Sequence, residues 1–162
     1  MPPDLLALTA DLIAVPSVSL DERAIADVVE ARLRERAPSL QIDRVGDNVV
    51  ARTDRGLGTR LLLGGHLDTV PANGNATPRV EGDRLHGLGA ADMKGGLAVM
   101  LTIAEAAHAL GDRLRFDLTV VWYVAEEVAD VHNGLRAIFE SEPDLLATDL
   151  AILMEPTGAW VE

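Results

Sequence analysis

The sequence predicts an α/β fold: a mostly parallel, twisted sheet with helices on both faces. Three observations predict it. Short, continuous apolar runs recur at 60–65, 118–125 and 150–154, and runs of that kind suit strands buried in the centre of a sheet. Stretches of helical periodicity lie between them, and the order strand, helix, strand, helix, strand implies right-handed parallel crossovers. With 162 residues, 48% of them apolar, the chain can bury the core of one ordinary domain.

The elements follow in order. Residues 4–15 carry Leu5, Leu8, Leu12 and Ile13 at helical spacing, and Pro16 ends the helix. Ser19-Leu20-Asp21-Glu22 then reads as a capping box, the Ser oxygen meeting an early helix N–H while Glu22 reaches back. Ile25, Val28, Val29 and Leu33 form the apolar stripe of the next helix, which Pro38 closes. Residues 40–45 and 48–53 read as two strands joined at Gly46-Asp47. The apolar strand 60–65 comes next. Residues 71–84, rich in Gly, Pro and Asn, form a loop with at most one short strand. A helix opened by Asp92-Met93-Lys94-Gly95-Gly96 continues through Leu97, Met100, Leu101, Ala104 and Ala107 to Gly111. Its composition predicts deep burial. After the strand 118–125 comes a short helix at 133–140, and then a last buried strand at 150–154, with no helix following it before Glu162.

Composition narrows the function. The net charge is −12, from 14 basic and 26 acidic residues, which disfavours contact with a phosphate backbone and argues against a nucleic-acid partner. Without cysteine there is neither a disulfide nor a thiolate metal site. No apolar run approaches the length that spans a bilayer, and no signal peptide opens the chain, so no membrane association and a cytoplasmic location are expected.

His66 and Asp68 follow Gly64-Gly65 at the end of the first apolar run. Glu126-Glu127 follows the second and Glu155 the third, while Asp92 opens the crossover helix. In open parallel sheets ligands bind beyond the carboxyl ends of the strands, so these groups can converge. Imidazole and carboxylates at one edge suit zinc, with cobalt or manganese as substitutes. One central carboxylate could bridge two metals, Asp68 could orient the imidazole of His66, and one of the adjacent glutamates could take a proton from the attacking water. Lys94 reads as a helix-start residue whose ammonium neutralises nearby carboxylates. His86, His108 and His132 have no matching ligand role.

The segments His66-Leu67-Asp68-Thr69-Val70-Pro71, 87–96 with Asp92-Met93-Lys94-Gly95-Gly96, Glu126-Glu127 and Glu155-Pro156 resemble the M20 family of metallopeptidases. The set in this order is specific, whereas any one motif alone is weak. The resemblance implies a zinc-peptidase fold with two zinc ions per complete active site. His66 and Glu155 would hold the first zinc, Asp92 would bridge, and Glu127 would bind the second. Glu126 would be the general base and Asp68 the partner of His66. The implied reaction is hydrolysis of the amide of N-succinyl-LL-2,6-diaminopimelate, a step in bacterial lysine synthesis. Acetylornithine or another N-acyl amino acid is the alternative small-molecule substrate.

Two departures from the family pattern stand out. Ala125 occupies a position that is often acidic in the family. Residues 1–162 match only the leading part of the catalytic domain, without its later histidine ligand or its lid domain, through which the parent protein would form a homodimer. The chain is therefore expected to be a fragment inactive by itself, or a metal-binding remnant.

Overall fold

The computed structural model describes residues 4–157; the stretch after the last strand that was expected to hold no helix includes 158–162, outside the described residues. Helix α1 spans Leu5–Ile13 and α2 Arg23–Arg36. Strands β1 (Gln41–Val45), β2 (Asn48–Arg52) and β3 (Arg60–His66) follow. A small separate hairpin, β4 (Arg79–Glu81) and β5 (Arg84–His86), leads to α3 (Gly95–Leu110). Then come β6 (Asp117–Tyr123), α4 (Gly134–Ser141) and β7 (Leu150–Leu153).

The main sheet has the order β1-β2-β6-β3-β7. β3 pairs in parallel with β6 on one side and β7 on the other, while β2 runs antiparallel to both β6 and β1. Four of the five strands therefore point the same way, and the predicted hairpin supplies the one reversed strand. The chain passes from β3 through α3 to β6, then back across β3 through α4 to β7. α3 joins the core on one face, with α1, α2, Leu63, Val120 and Trp122. α4 packs through Ile138 on the opposite face, with Val50, Leu62, Val121 and Tyr123. Alternation along the strands explains the division, since successive side chains point to opposite faces. Helices thus cover both faces, as the sequence predicts.

Gly65 suits close packing here. A Cβ there would lie 2.6 Å from Met93 Cε and 2.8 Å from Met100 Sδ, so any side chain at this position would displace both buried methionines.

Several local expectations need correction. No capping box forms at α2: Glu22 makes no side-chain cap, and Ser19 turns to Asp68 instead. Val28 is exposed, and Ala26 takes the buried position beside Ile25, Val29 and Leu33. Residues 71–86 hold two short strands, not one. α3 begins at Gly95, because Asp92 and Met93 have non-helical dihedrals. α3 buries only one face, leaving Ala106, Ala109 and Leu110 exposed, because the sheet lies on one side of it. β7 is not buried: Leu150, Ile152 and Leu153 are exposed because β7 is the edge strand and pairs only with β3.

Candidate metal centre

The parallel register sets the site. His66, the last residue of β3, lies beside Tyr123, the last of β6, and Gly64 lies beside Leu153 at the end of β7. Leu67 N–H donates to Tyr123 O at 2.7 Å and Met154 N–H to Gly64 O at 2.9 Å, which keeps the strand ends aligned as they leave the sheet. The segments that follow, 66–68, 125–127 and 155, therefore open at one edge. This is the carboxyl-end arrangement expected of parallel strands.

His66 is only 1% exposed. Its Nδ1 lies 3.0 Å from the backbone oxygen of Asp68 and 3.4 Å from Asp68 Oδ1. Its Nε2 faces the opening, 3.0 Å from Asp92 Oδ1 and 3.9 Å from Glu155 Oε2. Burial pulls the imidazole pKa down, but hydrogen bonds to Asp68 and Asp92 and the charges of Asp68 and Glu155 outweigh it and raise the pKa to about 9.

Asp68 is fully buried and has four partners. Oδ1 accepts the N–H of Glu126 at 3.0 Å, and Oδ2 accepts the N–H of Glu127 at 3.0 Å and the hydroxyl of Ser19 at 2.7 Å. Burial alone would raise its pKa. His66, the Glu126 N–H, Ser19 and the Glu127 N–H together hold it down at about 2. The Asp68 carboxylate thus lies against the imidazole and also holds the turn bearing the glutamate pair, a contact the sequence did not reveal.

Ser19 reaches Asp68 because residues 17–19 run alongside Thr69. Ser19 N–H donates to Thr69 O at 3.1 Å, and Thr69 N–H donates to Ser17 O at 2.8 Å. Glu22 enters from the same segment, its Oε1 accepting the N–H of Leu20 at 2.9 Å and of Ala125 at 3.1 Å.

Two groups of side chains bring possible ligand atoms within 4.8 Å of one another: His66 with Asp92 and Glu155, and His66 with Glu126 and Glu127. All five sequence-selected groups around the opening therefore converge. Glu127 falls with His66 and Glu126 and not in one group with Asp92 and Glu155, although the Asp92 charge raises its pKa after burial does. The pKa of Glu155 is likewise raised, first by burial and then by the charges of Asp92, Glu126 and Glu127, with His66 opposing. Four carboxylates crowding one imidazole repel one another, and a bound cation relieves that repulsion.

The remaining candidates lie apart. Lys94, 2% exposed, does not neutralise the carboxylates; its ammonium donates to the backbone oxygens of Leu12 at 3.1 Å and Val15 at 2.8 Å, closing the end of α1. Desolvation lowers its pKa to about 8. His108 Nδ1 lies 2.6 Å from Ser39 Oγ, and His86 faces Glu81. His132 is exposed and belongs to neither ligand group among the described residues. No helix among the described residues is long and apolar enough to cross a membrane.

Comparison with known proteins shows the family and the fold. The chain is 47% identical over 160 residues to a succinyl-diaminopimelate desuccinylase of Corynebacterium glutamicum, an alignment covering 98% of this chain and 43% of that protein. Among solved structures, an M20 family metallo-carboxypeptidase from Sulfolobus solfataricus superposes with a TM-score of 0.77 at 19% identity, over 94% of this chain and 37% of that one. A Bacillus subtilis protein described as a dinuclear metal binding peptidase from the M20 family superposes with a TM-score of 0.65 at 19% identity, over 92% of this chain and 41% of that one. The chain spans less than half the length of each of these proteins. The model of peptidase family M20/M25/M40 matches residues 62–162, which include all five groups around the opening, and the chain belongs to that family.

Proposed function

We propose that this chain supplies the metal-holding part of a hydrolase that cleaves the amide bond of an N-acylated amino acid, with N-succinyl-LL-2,6-diaminopimelate as its substrate. The observation that carries this reading is the convergence of His66, Asp92, Glu126, Glu127 and Glu155 at the carboxyl edge of the sheet. The 47% identity to a desuccinylase over nearly the whole chain supports the substrate.

The donor set fits a divalent cation. It offers one imidazole nitrogen and several carboxylate oxygens, no thiolate, and pKa values of Glu127 and Glu155 raised partly by neighbouring negative charge. His66, Asp92 and Glu155 would hold a first ion, and Asp92 and Glu127 would contribute to a second, in keeping with the dinuclear Bacillus subtilis relative. Zinc is the proposed ion, with cobalt or manganese as substitutes. When bound, such ions polarise the scissile carbonyl and make water a stronger nucleophile near neutral pH.

The chain's own residues do the rest. Glu126 is exposed at the opening and accepts the proton of the attacking water on its carboxylate, then delivers it to the leaving amine nitrogen. Asp68 keeps the His66 ring turned so that Nε2 faces the opening. The parent protein is proposed to be a homodimer joined through a lid domain outside these residues. The alternative readings are an acetylornithine deacetylase or other N-acyl-amino-acid hydrolase, and a metal-binding fragment without catalysis.

Protein made from the complete gene and loaded with zinc is the material for the test. Release of succinate from N-succinyl-diaminopimelate is compared with release of acetate from N-acetylornithine. This reading expects kcat/KM for the succinyl compound to be at least about tenfold higher, equivalent to roughly 1.4 kcal/mol. The reverse preference would support the deacetylase, and no release from either would support the fragment.

A further inference from the structure

Glu22 stands where α2 begins, yet its side chain makes no cap bond to that helix. It is 3% exposed, faces the charge of Asp68, and belongs to neither ligand group among the described residues. Its partner is distant in sequence: Oε1 accepts the N–H of Ala125, while also accepting the N–H of Leu20. Ala125 has a φ of 59°, in the left-handed region that a non-glycine residue rarely adopts. It directly precedes Glu126. The next two N–H groups, of Glu126 and Glu127, go to Asp68.

Three consecutive backbone N–H groups at the glutamate pair are therefore each held by a buried carboxylate, the first by Glu22 and the next two by Asp68. Ser19, three residues before Glu22, bonds Asp68 from the same segment. A turn that must present two adjacent glutamates in different directions needs its backbone fixed from outside, because its own residues are committed to the opening.

We propose that Glu22 is a positioning residue for Glu126: by holding the Ala125 N–H it fixes the turn that aims the general base. The inference rests on the hydrolase reading and deepens it. What the contact needs is an acceptor oxygen at that point, not a charge, since burial, and after it the neighbouring Asp68, makes a negative charge there unfavourable.

The test uses zinc-loaded protein from the complete gene, with succinate release, metal content and amide hydrogen exchange as readouts. Glu22→Ala is expected to lower kcat about 100-fold, with KM and metal content within about twofold. Exchange should quicken at residues 125–127 and not within β6. Glu22→Gln, which keeps the acceptor, should restore both kcat and protection. If Glu22→Ala does not fold, Glu22→Asp withdraws the acceptor by one methylene and should show the same loss. An unchanged kcat, a loss that follows metal content or folded fraction, or failure of Gln to restore activity overturns the inference. Glu126→Gln separates the two levels. If it is inactive while Glu22→Ala is normal, only the positioning role fails; if it keeps full turnover, Glu126 is not the base and the inference fails while the hydrolase reading stands; if the wild type itself releases no succinate, the hydrolase reading fails and takes the inference with it.

Discussion

Oδ1 of Asp68 accepts the backbone N–H of Glu126 at 3.0 Å, so the carboxylate beside the His66 imidazole also anchors the turn of the proposed base. Asp68→Asn replaces one acceptor oxygen by a donor, which then confronts the Glu126 or the Glu127 N–H. Zinc affinity should fall by about 10- to 100-fold. Competition against a chromophoric chelator measures it. Unchanged affinity would mean that the Asp68 backbone oxygen alone orients the ring.

Cation binding should release a proton. With a pKa raised to about 9, His66 is protonated in the metal-free protein near pH 7, and a metal ligand must be neutral imidazole. About one proton should therefore leave as the first ion binds near pH 7, and affinity for that ion should rise with pH until about 9. Calorimetry in two buffers of different ionisation enthalpy measures the proton count, and a count of zero would contradict the assignment of His66.

Acid should weaken the metal-free protein through Asp68. Its folded pKa of about 2 lies below the value of an unfolded aspartate, so its stabilisation is complete above the unfolded pKa and is lost as pH falls through the folded one. The loss amounts to about 2 to 3 kcal/mol in total, spread between roughly pH 5 and pH 1. Urea unfolding of wild type and Asp68→Asn across this range should show a flatter acid limb for the variant.

Lys94 serves α1 and not the carboxylates. Lys94→Met leaves the oxygens of Leu12 and Val15 without their buried donor, which costs about 1 to 3 kcal/mol. Tm should fall, while zinc affinity should change by no more than about twofold. A large change in affinity would restore the reading in which the ammonium neutralises the site.

Most of the fold was legible because its signals are local. The apolar runs ending at His66, Glu126 and Glu155, and the Ala-rich stretch between them, carry enough information to place strands, a crossover helix and the ligand edge. The hairpin at Gly46-Asp47 was also readable. The burial of β7 was misjudged because an apolar run does not reveal whether its strand lies at the centre or the edge of a sheet. The roles of Ser19 and Glu22 were hidden for a different reason. Ser-x-x-Glu is a local helix-capping pattern, and nothing along the chain says that the partners lie at Asp68 and Ala125. Lys94 was misread because its acceptors belong to a helix about eighty residues earlier, a relation that exists only after packing.

The central claim is that Glu126 acts beside a cation held by His66, Asp92 and Glu155. The most direct measurement is succinate release from N-succinyl-LL-2,6-diaminopimelate by zinc-loaded protein from the complete gene, wild type against Glu126→Gln, with metal content determined on the same samples. The account predicts release by the wild type, at least about 100-fold slower release by the variant, and equal zinc in both. Equal rates in the two proteins, or zinc lost from the variant in step with activity, would contradict it.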